Sequence, residues 1–146
     1  MILSGSGRVV RVWRREEEGG SYSSHVNVEH ESTVRGAGFN HTNQVCGVGG
    51  DRGYLALCQT ETGRTMAKLA PVGGDNGADV AVQSVDISPS SRSLLLGTSS
   101  GTIQVWDLKK RTSSQLVEAG SSVHCTRFSI DGRYAAASTE KGYMHW

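Results

Sequence analysis

The sequence predicts an all-β fold made of consecutive four-stranded antiparallel sheets. Its 146 residues include 19 Gly and 19 Ser but 2 Pro, a composition that favours frequent tight turns over long helices. Short segments such as 9–13 and 103–106 alternate apolar with polar residues, which is typical of strands that bury one face. Similar segments recur along the chain, and their recurrence indicates one domain built from repeated units.

The repeated unit has a period of 41 to 48 residues. Phe39, Ile87 and Phe128 end the first strand of three successive units, at intervals of 48 and 41 residues. Phe39 precedes Cys58 by 19 residues, and Ile87 precedes Trp106 by the same 19 residues. A period of about 40–45 residues with several strands in each unit is typical of β-propeller blades. We therefore expect a partial propeller, in which twisted sheets stack face to face around a common axis.

The chain divides into two complete units and two partial ones. We predict an incomplete blade at 1–30, full blades at 31–70 and 80–119, and a further incomplete blade at 121–146. The better-defined strands are expected at 2–6 and 9–13, at 33–39, 45–49 and 53–58, at 83–87, 93–98 and 101–106, and at 123–128, 133–138 and 142–146. Fourth strands at 24–29, 64–69 and 114–118 alternate less clearly, because an outermost strand has a single strand neighbour and more solvent.

Residues 88–107 carry a family resemblance. Their sequence, Ser-Pro-Ser-Ser-Arg-Ser-Leu-Leu-Leu-Gly-Thr-Ser-Ser-Gly-Thr-Ile-Gln-Val-Trp-Asp, resembles the repeat of the WD-repeat family of β-propellers. Residues 129–134 resemble the first turn of that repeat, and Trp13, Thr98, Trp106 and Asp107 stand at its characteristic positions. The resemblance implies a non-catalytic module that binds other proteins and holds no cofactor. Fold-level analogy supplies binding in general and leaves the partner open.

The polar network of the family is incomplete in this sequence. In intact repeats, a Trp, a Ser or Thr, an Asp and a His form a buried hydrogen-bonded tetrad. The third unit keeps Thr98 and its Trp, but Ser100 stands at the Asp position and no His precedes its first strand. The second unit offers His30 and Asp51 but has Cys58 where the Trp belongs. Because a buried network stabilises a core only when every member is satisfied, we expect these blades to depend mainly on apolar packing.

A narrower similarity concerns the order of the two central units. The segment Gly-Tyr-Leu-Ala-Leu-Cys-Gln at 53–59 lacks a Trp and precedes the well-kept segment Ile-Gln-Val-Trp-Asp-Leu-Lys-Lys-Arg at 103–111. This order is similar to the amino-terminal propeller of the centrosomal WD-repeat proteins that recruit γ-tubulin ring complexes. That resemblance implies, as an alternative function, a microtubule-nucleation adaptor at the centrosome with a cytoskeletal partner.

Charge and composition exclude several function classes. With 15 Lys plus Arg against 14 Asp plus Glu, the net charge of +1 gives no cationic excess for nucleic acid. No apolar run approaches the ~20 residues that span a bilayer, and the first residues lack a secretory signal pattern. Cys46, Cys58 and Cys125 are odd in number and lack CxxC spacing, which fits reduced thiols in strands better than disulfides or zinc. We therefore expect an intracellular, cytoplasmic protein without metal, cofactor or membrane contact.

Candidate partner-binding residues lie in three charged loops. They are Arg15, Glu16, Glu17 and Glu18 in the first loop, Asp75 and Asn76 in the Gly-rich second loop at 71–79, and Lys109, Lys110 and Arg111 in the third. Loops held by a rigid scaffold often carry binding residues, although a solvated loop without a partner is the alternative for each. The third loop could meet an acidic protein surface such as that of tubulin.

Motifs for catalysis or phosphate binding are not found. The Gly-rich run at 47–50 is followed by no Lys-Ser/Thr pair of a P-loop, and the five His form no HExxH spacing. The G-x-S-x-G spacing at 97–101 lies between two expected strands and lacks the strand-to-helix turn of a nucleophile elbow. A propeller enzyme, which would need polar groups converging on the axial channel, is therefore the less favoured alternative, because the expected channel-side strands are small and apolar.

The chain contains about three and a half predicted blades, whereas propellers close with about 4–8. We expect either a truncated chain or a partial propeller completed by another chain or another copy. In both cases the open blade ends would favour self-association, since they leave strand edges and apolar faces without a neighbour.

Overall fold

The computed structural model describes residues 1–69 and 80–145, which form four antiparallel sheets. Sheet I contains β1 (Ile2–Ser6), β2 (Val9–Arg15) and β3 (Tyr22–Glu29). Sheet II contains β4 (Val34–Phe39), β5 (Val45–Gly50), β6 (Leu55–Gln59) and β7 (Thr65–Lys68). Sheet III contains β8 (Val82–Ile87), β9 (Ser93–Thr98), β10 (Thr102–Asp107) and β11 (Thr112–Glu118). Sheet IV contains β12 (Val123–Phe128), β13 (Ala135–Thr139) and β14 (Gly142–His145).

The predicted all-β class is confirmed, with consecutive antiparallel sheets arranged as in a partial propeller. Within the described residues, strand pairing is confined to each sheet and follows chain order, so no closed barrel forms. The period-two pattern gives each strand its buried face: Val10 and Val12 of β2 are buried, while Arg11 between them is exposed.

Strand register aligns the second and third units. In sheet II, Cys46 of β5 lies opposite Phe39 of β4 on one side and opposite Cys58 of β6 on the other. In sheet III, Leu94 of β9 likewise lies opposite both Ile87 and Trp106. The 19-residue offset in the sequence therefore corresponds to two hairpin steps across a sheet.

A β-bulge recurs at one position of sheets I, II and III. It interrupts the pairing of the third blade strand with the fourth, immediately before the position that Trp occupies in two of the sheets. The bulges fall between Val12 and Trp13, between Leu57 and Cys58, and between Val105 and Trp106. A bulge bends its strand and increases the local twist. The outermost strand of each sheet is thus turned relative to the inner ones.

Some strand ends differ from the sequence prediction. The third strand of sheet II begins at Leu55 rather than at residue 53, because Asp51–Gly53 forms a single 3₁₀ turn. Arg52 and Gly53 in this turn have φ of 56° and 69°, which a strand cannot accommodate. The fourth strands β3 and β11 are longer than predicted, since their pairing continues beyond the bulge.

Glycines let sheet II approach sheet III at backbone distance. A Cβ atom built on Gly36 would lie 2.7 Å from the carbonyl oxygen of Gln83, and one built on Gly38 would lie 2.7 Å from that of Val85. A side chain at either position would force β4 and β8 apart. The two first strands therefore pack directly against each other, as expected close to a propeller axis.

Three apolar clusters fill the spaces between neighbouring sheets. The cluster between sheets I and II contains Val10, Cys46, Val48, Ala56 and Cys58. The cluster between sheets II and III contains Leu55, Leu57, Leu69, Val82, Val85, Ile87, Leu94, Leu96 and Trp106. The cluster between sheets III and IV contains Leu95, Ile103, Val123, Ala135 and Ala137. Each cluster draws residues from two sheets, so burial of apolar surface holds the stack together.

Sheets III and IV are also joined by polar contacts. The Ser84 hydroxyl accepts hydrogen bonds from the Thr126 backbone N–H at 2.8 Å and from the Thr126 hydroxyl at 3.1 Å. The Asp86 carboxylate accepts a hydrogen bond from the Phe128 N–H at 2.7 Å. Side chains of β8 thereby satisfy backbone donors on β12 that its own sheet leaves unpaired.

Candidate functional site

The meander topology sorts the turns onto two faces of the stack. Because antiparallel strands reverse direction at every hairpin, alternate connections lie on the same side. Face A carries the turns at 16–21, 40–44, 60–64, 88–92, 108–111 and 129–134, and face B those at 7–8, 30–33, 51–54, 99–101, 119–122 and 140–141. Neighbouring turns of face A touch, since the Asn40 side chain donates to the Ser91 hydroxyl at 3.2 Å.

The first predicted loop forms a compact hairpin turn on face A. The Glu16 N–H donates to the Ser21 carbonyl at 2.8 Å, and the Ser21 hydroxyl donates to the Glu16 carboxylate at 3.3 Å. The Arg15 guanidinium lies alongside Gly20, which has a φ of 68°. Glu17 and Glu18 at its tip are exposed. The turn therefore presents carboxylates to solvent on a closed backbone loop.

A salt bridge fixes this hairpin to sheet II. The Arg14 guanidinium donates to both carboxylate oxygens of Glu61 at 2.7 and 2.6 Å, and His25 Nε2 lies 3.5 Å from the same carboxylate. The hydrogen bond from Arg14 holds the pKa of Glu61 below its ordinary value. Both members are exposed, so the pair acts by orienting the loop more than by stabilising the fold. Sequence reasoning missed this contact, because the partners are 47 residues apart.

The basic turn at Lys109, Lys110 and Arg111 also lies on face A. The Asp107 carboxylate accepts hydrogen bonds from the N–H groups of Lys109 and Lys110, each at 2.9 Å. These bonds lower the pKa of Asp107, which keeps the carboxylate ionised and the turn closed. The three basic side chains are exposed, and none forms an ion pair within the described part of the chain. Face A thus carries one acidic and one basic turn.

The second predicted loop cannot be placed. Asp75 and Asn76 lie outside the described residues, as does the stretch 70–79 that contains them. Their proposed role in partner binding stays a prediction.

The tetrad positions of sheet III are satisfied by near neighbours in sequence. The Trp106 indole N–H donates to the Gln104 side chain at 3.0 Å. The Thr98 hydroxyl donates to the Thr102 carbonyl at 3.1 Å and shares a 2.9 Å hydrogen bond with Ser100. Trp106 and Thr98 therefore have different polar partners. Trp106 bonds within its own strand, and Thr98 bonds within its own hairpin.

The residues at the tetrad positions of sheet II likewise bond to other partners and not to one another. His30 Nδ1 and the Tyr54 hydroxyl share a hydrogen bond of 2.9 Å, whereas Asp51 accepts one of 2.7 Å from Arg35. His30 is 3% exposed, and its burial lowers the pKa of the imidazole, which favours the neutral ring. Cys58 stands where sheets I and III have Trp, and its sulfur lies 3.9 Å from the Thr65 hydroxyl.

Two surface features were not predicted. A cleft of about 550 Å³ opens on face B, where Arg8, Arg52 and Tyr54 line it together with the Glu31–Lys68 ion pair. On face A, Ile130 and Tyr134 are 98% and 65% exposed, although both are large and apolar. Large apolar side chains at the surface often belong to interfaces. Both lie in or beside the turn between β12 and β13.

Within residues 1–69 and 80–145, no three His, Cys, Asp or Glu side chains come together as a metal-binding group. In that same part of the chain, no helix has the length and apolar character needed to cross a membrane.

Comparison with known proteins gives partial matches. No protein-family model matches the chain. The chain is 34% identical over 70 residues to eukaryotic translation initiation factor 3 subunit I of Drosophila melanogaster, covering 48% of this chain and 22% of that protein. The Drosophila ananassae subunit matches with the same identity and coverage.

A second relative matches over more of the chain. The WD repeat-containing protein JIP5 of Coccidioides immitis is 28% identical over 111 residues, covering 75% of this chain and 24% of that protein. The matched region spans less than a quarter of the length of these relatives. In sequence and in its stacked four-stranded sheets, the chain is thus similar to WD-repeat proteins.

Proposed function

We propose that this chain is a segment of a WD-repeat propeller and acts as a non-catalytic scaffold that binds other proteins through face A. In this proposal, the blades comprise 1–30, 31–70, 80–119 and 121–146. The proposal also has the protein act inside the cell, in the cytoplasm.

The observation that carries the proposal is the pair of charged turns held on one face. The acidic turn of Glu16, Glu17 and Glu18 is closed by its own hydrogen bonds and tethered through the neighbouring Arg14. The basic turn is closed by Asp107. A partner that binds preorganised turns loses less conformational entropy on association than one that must order them. Opposite charges at two fixed places also select the orientation of a partner.

The relatives support a role in assembly. One of them is named as a subunit of eukaryotic translation initiation factor 3. Stacked sheets with exposed turns suit such a role, because they offer extended surface without a catalytic centre. Association with further copies of the same chain is a second way in which this surface, or the outer faces of sheets I and IV, could be used.

A narrower hypothesis is an adaptor that recruits γ-tubulin complexes at the centrosome. The exposed turn of Lys109, Lys110 and Arg111 favours it, since a compact basic turn complements an acidic surface such as that of tubulin. Under this hypothesis, γ-tubulin co-purifies with the chain and is lost from a Lys109→Glu/Lys110→Glu variant. Retention of γ-tubulin by that variant would contradict the assignment.

Co-purification with matched variants tests the scaffold proposal. The tagged full chain is compared with Lys109→Glu/Lys110→Glu on face A and with Arg52→Glu/Lys141→Glu on face B, which reverses the same number of exposed charges. We expect a stoichiometric partner that the face A variant loses and the face B variant keeps. The opposite pattern, a monomer without stoichiometric partners, or enzymatic turnover by the chain would each overturn the proposal.

A further inference from the structure

Cys46 and Cys58 are direct cross-strand neighbours in sheet II. They lie opposite each other in the β5–β6 ladder, so their side chains point to the same face. Both belong to the apolar cluster between sheets I and II, where they are 2% and 1% exposed. Cys125, in contrast, is exposed on β12 and has no cysteine opposite it.

The hydrogen-bond pattern of the ladder fixes how far apart the two residues are. The Thr60 N–H donates to the Gln44 carbonyl, and the Gly50 N–H donates to the Tyr54 carbonyl. Hydrogen-bonded pairs alternate along an antiparallel ladder, so the pair formed by Cys46 and Cys58 is also of this kind. Such pairs have Cα atoms about 5.5 Å apart, which falls within the roughly 4.4–6.8 Å that disulfides bridge.

The two thiols are chemically unequal. The two thiols lie side by side in the ladder, and the Cys58 sulfur lies 3.9 Å from the Thr65 hydroxyl. The neighbouring thiol lowers the pKa of Cys58 and raises that of Cys46, which burial raises further. Cys58 is therefore the better nucleophile, because the thiolate is the reactive form of cysteine.

We propose that Cys46 and Cys58 form a peroxide-oxidisable dithiol that closes into a cross-strand disulfide. The Cys58 thiolate attacks one oxygen of hydrogen peroxide, breaks the O–O bond and becomes a sulfenic acid, while the leaving hydroxide takes a proton to form water. The Cys46 sulfur then attacks the sulfenic sulfur, and a second water leaves with the Cys46 proton. In total, two thiols are oxidised and one peroxide is reduced to two waters.

The position of the pair links its oxidation state to sheet packing. Both sulfurs contact the cluster that holds sheet I on sheet II, which also contains Val10 and Val48. Closing the disulfide draws the sulfurs together and alters their packing against sheet I. Burial keeps bulky disulfide reagents away from the pair, whereas hydrogen peroxide is little larger than water. This inference is independent of the proposed partner binding on face A.

Tryptic mapping of the peroxide-treated native chain tests the proposal. Cleavage after Arg35, Arg52 and Arg64 places Cys46 in the peptide 36–52 and Cys58 in the peptide 53–64. After treatment with hydrogen peroxide, quenching with catalase and alkylation in denaturant, we expect these peptides to be joined by a disulfide. One of the three thiols, Cys125, should remain outside that bond, and dithiothreitol should release the two peptides.

Variants that keep one member of the pair provide the control. In a Cys125→Ser background, the joined peptides 36–52 and 53–64 should have lost two hydrogen atoms, whereas Cys46→Ser in that background should add oxygen to Cys58 and Cys58→Ser should leave Cys46 alkylatable. Circular dichroism checks that each variant keeps its strand content. The proposal is overturned if the Cys125→Ser chain retains two alkylatable thiols after peroxide, or if Cys58 is recovered linked to Cys125.

Discussion

Replacing Ser84 with Ala is the sharpest test of how sheets III and IV are held together. Ser84 is 6% exposed and Thr126 is 0% exposed, and the Ser84 hydroxyl accepts from both the N–H and the hydroxyl of Thr126. Alanine removes this acceptor without adding bulk. The Thr126 hydroxyl can rotate to another acceptor, but its backbone N–H cannot.

The expected cost follows from that buried N–H. A buried donor left without a partner costs about 1–3 kcal/mol, so we expect the free energy of unfolding to fall by about 2 kcal/mol. For a chain of this size, such a loss lowers the melting temperature by about 4–8 °C. Urea unfolding measures the change directly, with an unchanged m-value if the native and unfolded states stay equally compact.

Ser114→Ala is the matched control. Its hydroxyl is likewise bonded to a backbone group, but as a donor to the Val105 carbonyl at 3.0 Å, and it lies at the exposed surface. We expect this variant to stay within about 0.5 kcal/mol of the unchanged chain. If Ser84→Ala behaves the same way, then water or a shifted strand satisfies Thr126, and the polar link between the two sheets has no energetic role.

Three further outcomes follow from the same contacts. Gly36→Ala should lower the free energy of unfolding by about 1–3 kcal/mol, because the added methyl group overpacks against β8. Gly5→Ala should lower it less, and urea titration measures both changes. Equal losses in the two variants would refute the close approach of β4 to β8. Burial lowers the pKa of His30, so stability should fall as pH drops below its ordinary value of 6.5, and a His30→Asn variant measured by melting from pH 7 to 5 should show a shallower fall. Arg14 lowers the pKa of Glu61, so the stability that this carboxylate contributes should be present above its ordinary value of 4.5 and lost as pH falls below it; an unchanged acid profile in Glu61→Gln would contradict this.

The strands could be predicted because their signals are local. Alternation within segments such as β2 and β10, together with the 19-residue offset from Ile87 to Trp106, indicates both the strands and their order. The all-β class and the stacked sheets follow from those signals. A four-residue or longer alternating segment has few other ways to bury its apolar face.

The contacts between sheets could not be predicted from the same patterns. The bulge before Cys58 is a mismatch of one residue in hydrogen bonding, and no residue type marks it. The pairing of Arg14 with Glu61 and the closeness of Gly36 to Gln83 depend on how two sheets are rotated against each other. Both are set by the packing of many side chains at once. The first and third candidate loops were found by their charge, whereas the face that these two loops share required the topology.

The recurring bulge explains how the repeat persists while its polar residues change. Trp13, Cys58 and Trp106 follow the same bulge in three sheets, yet the two indoles donate to Ser4 and Gln104, and the thiol lies beside Thr65. Each finds its polar partner within its own sheet, so no tetrad spanning strands and loops is needed to satisfy it. Backbone geometry and apolar burial are therefore sufficient to define a blade in this chain. The turns are then free to vary in sequence. Function must therefore be sought in the charges of the turns and not in how closely each unit matches the repeat pattern.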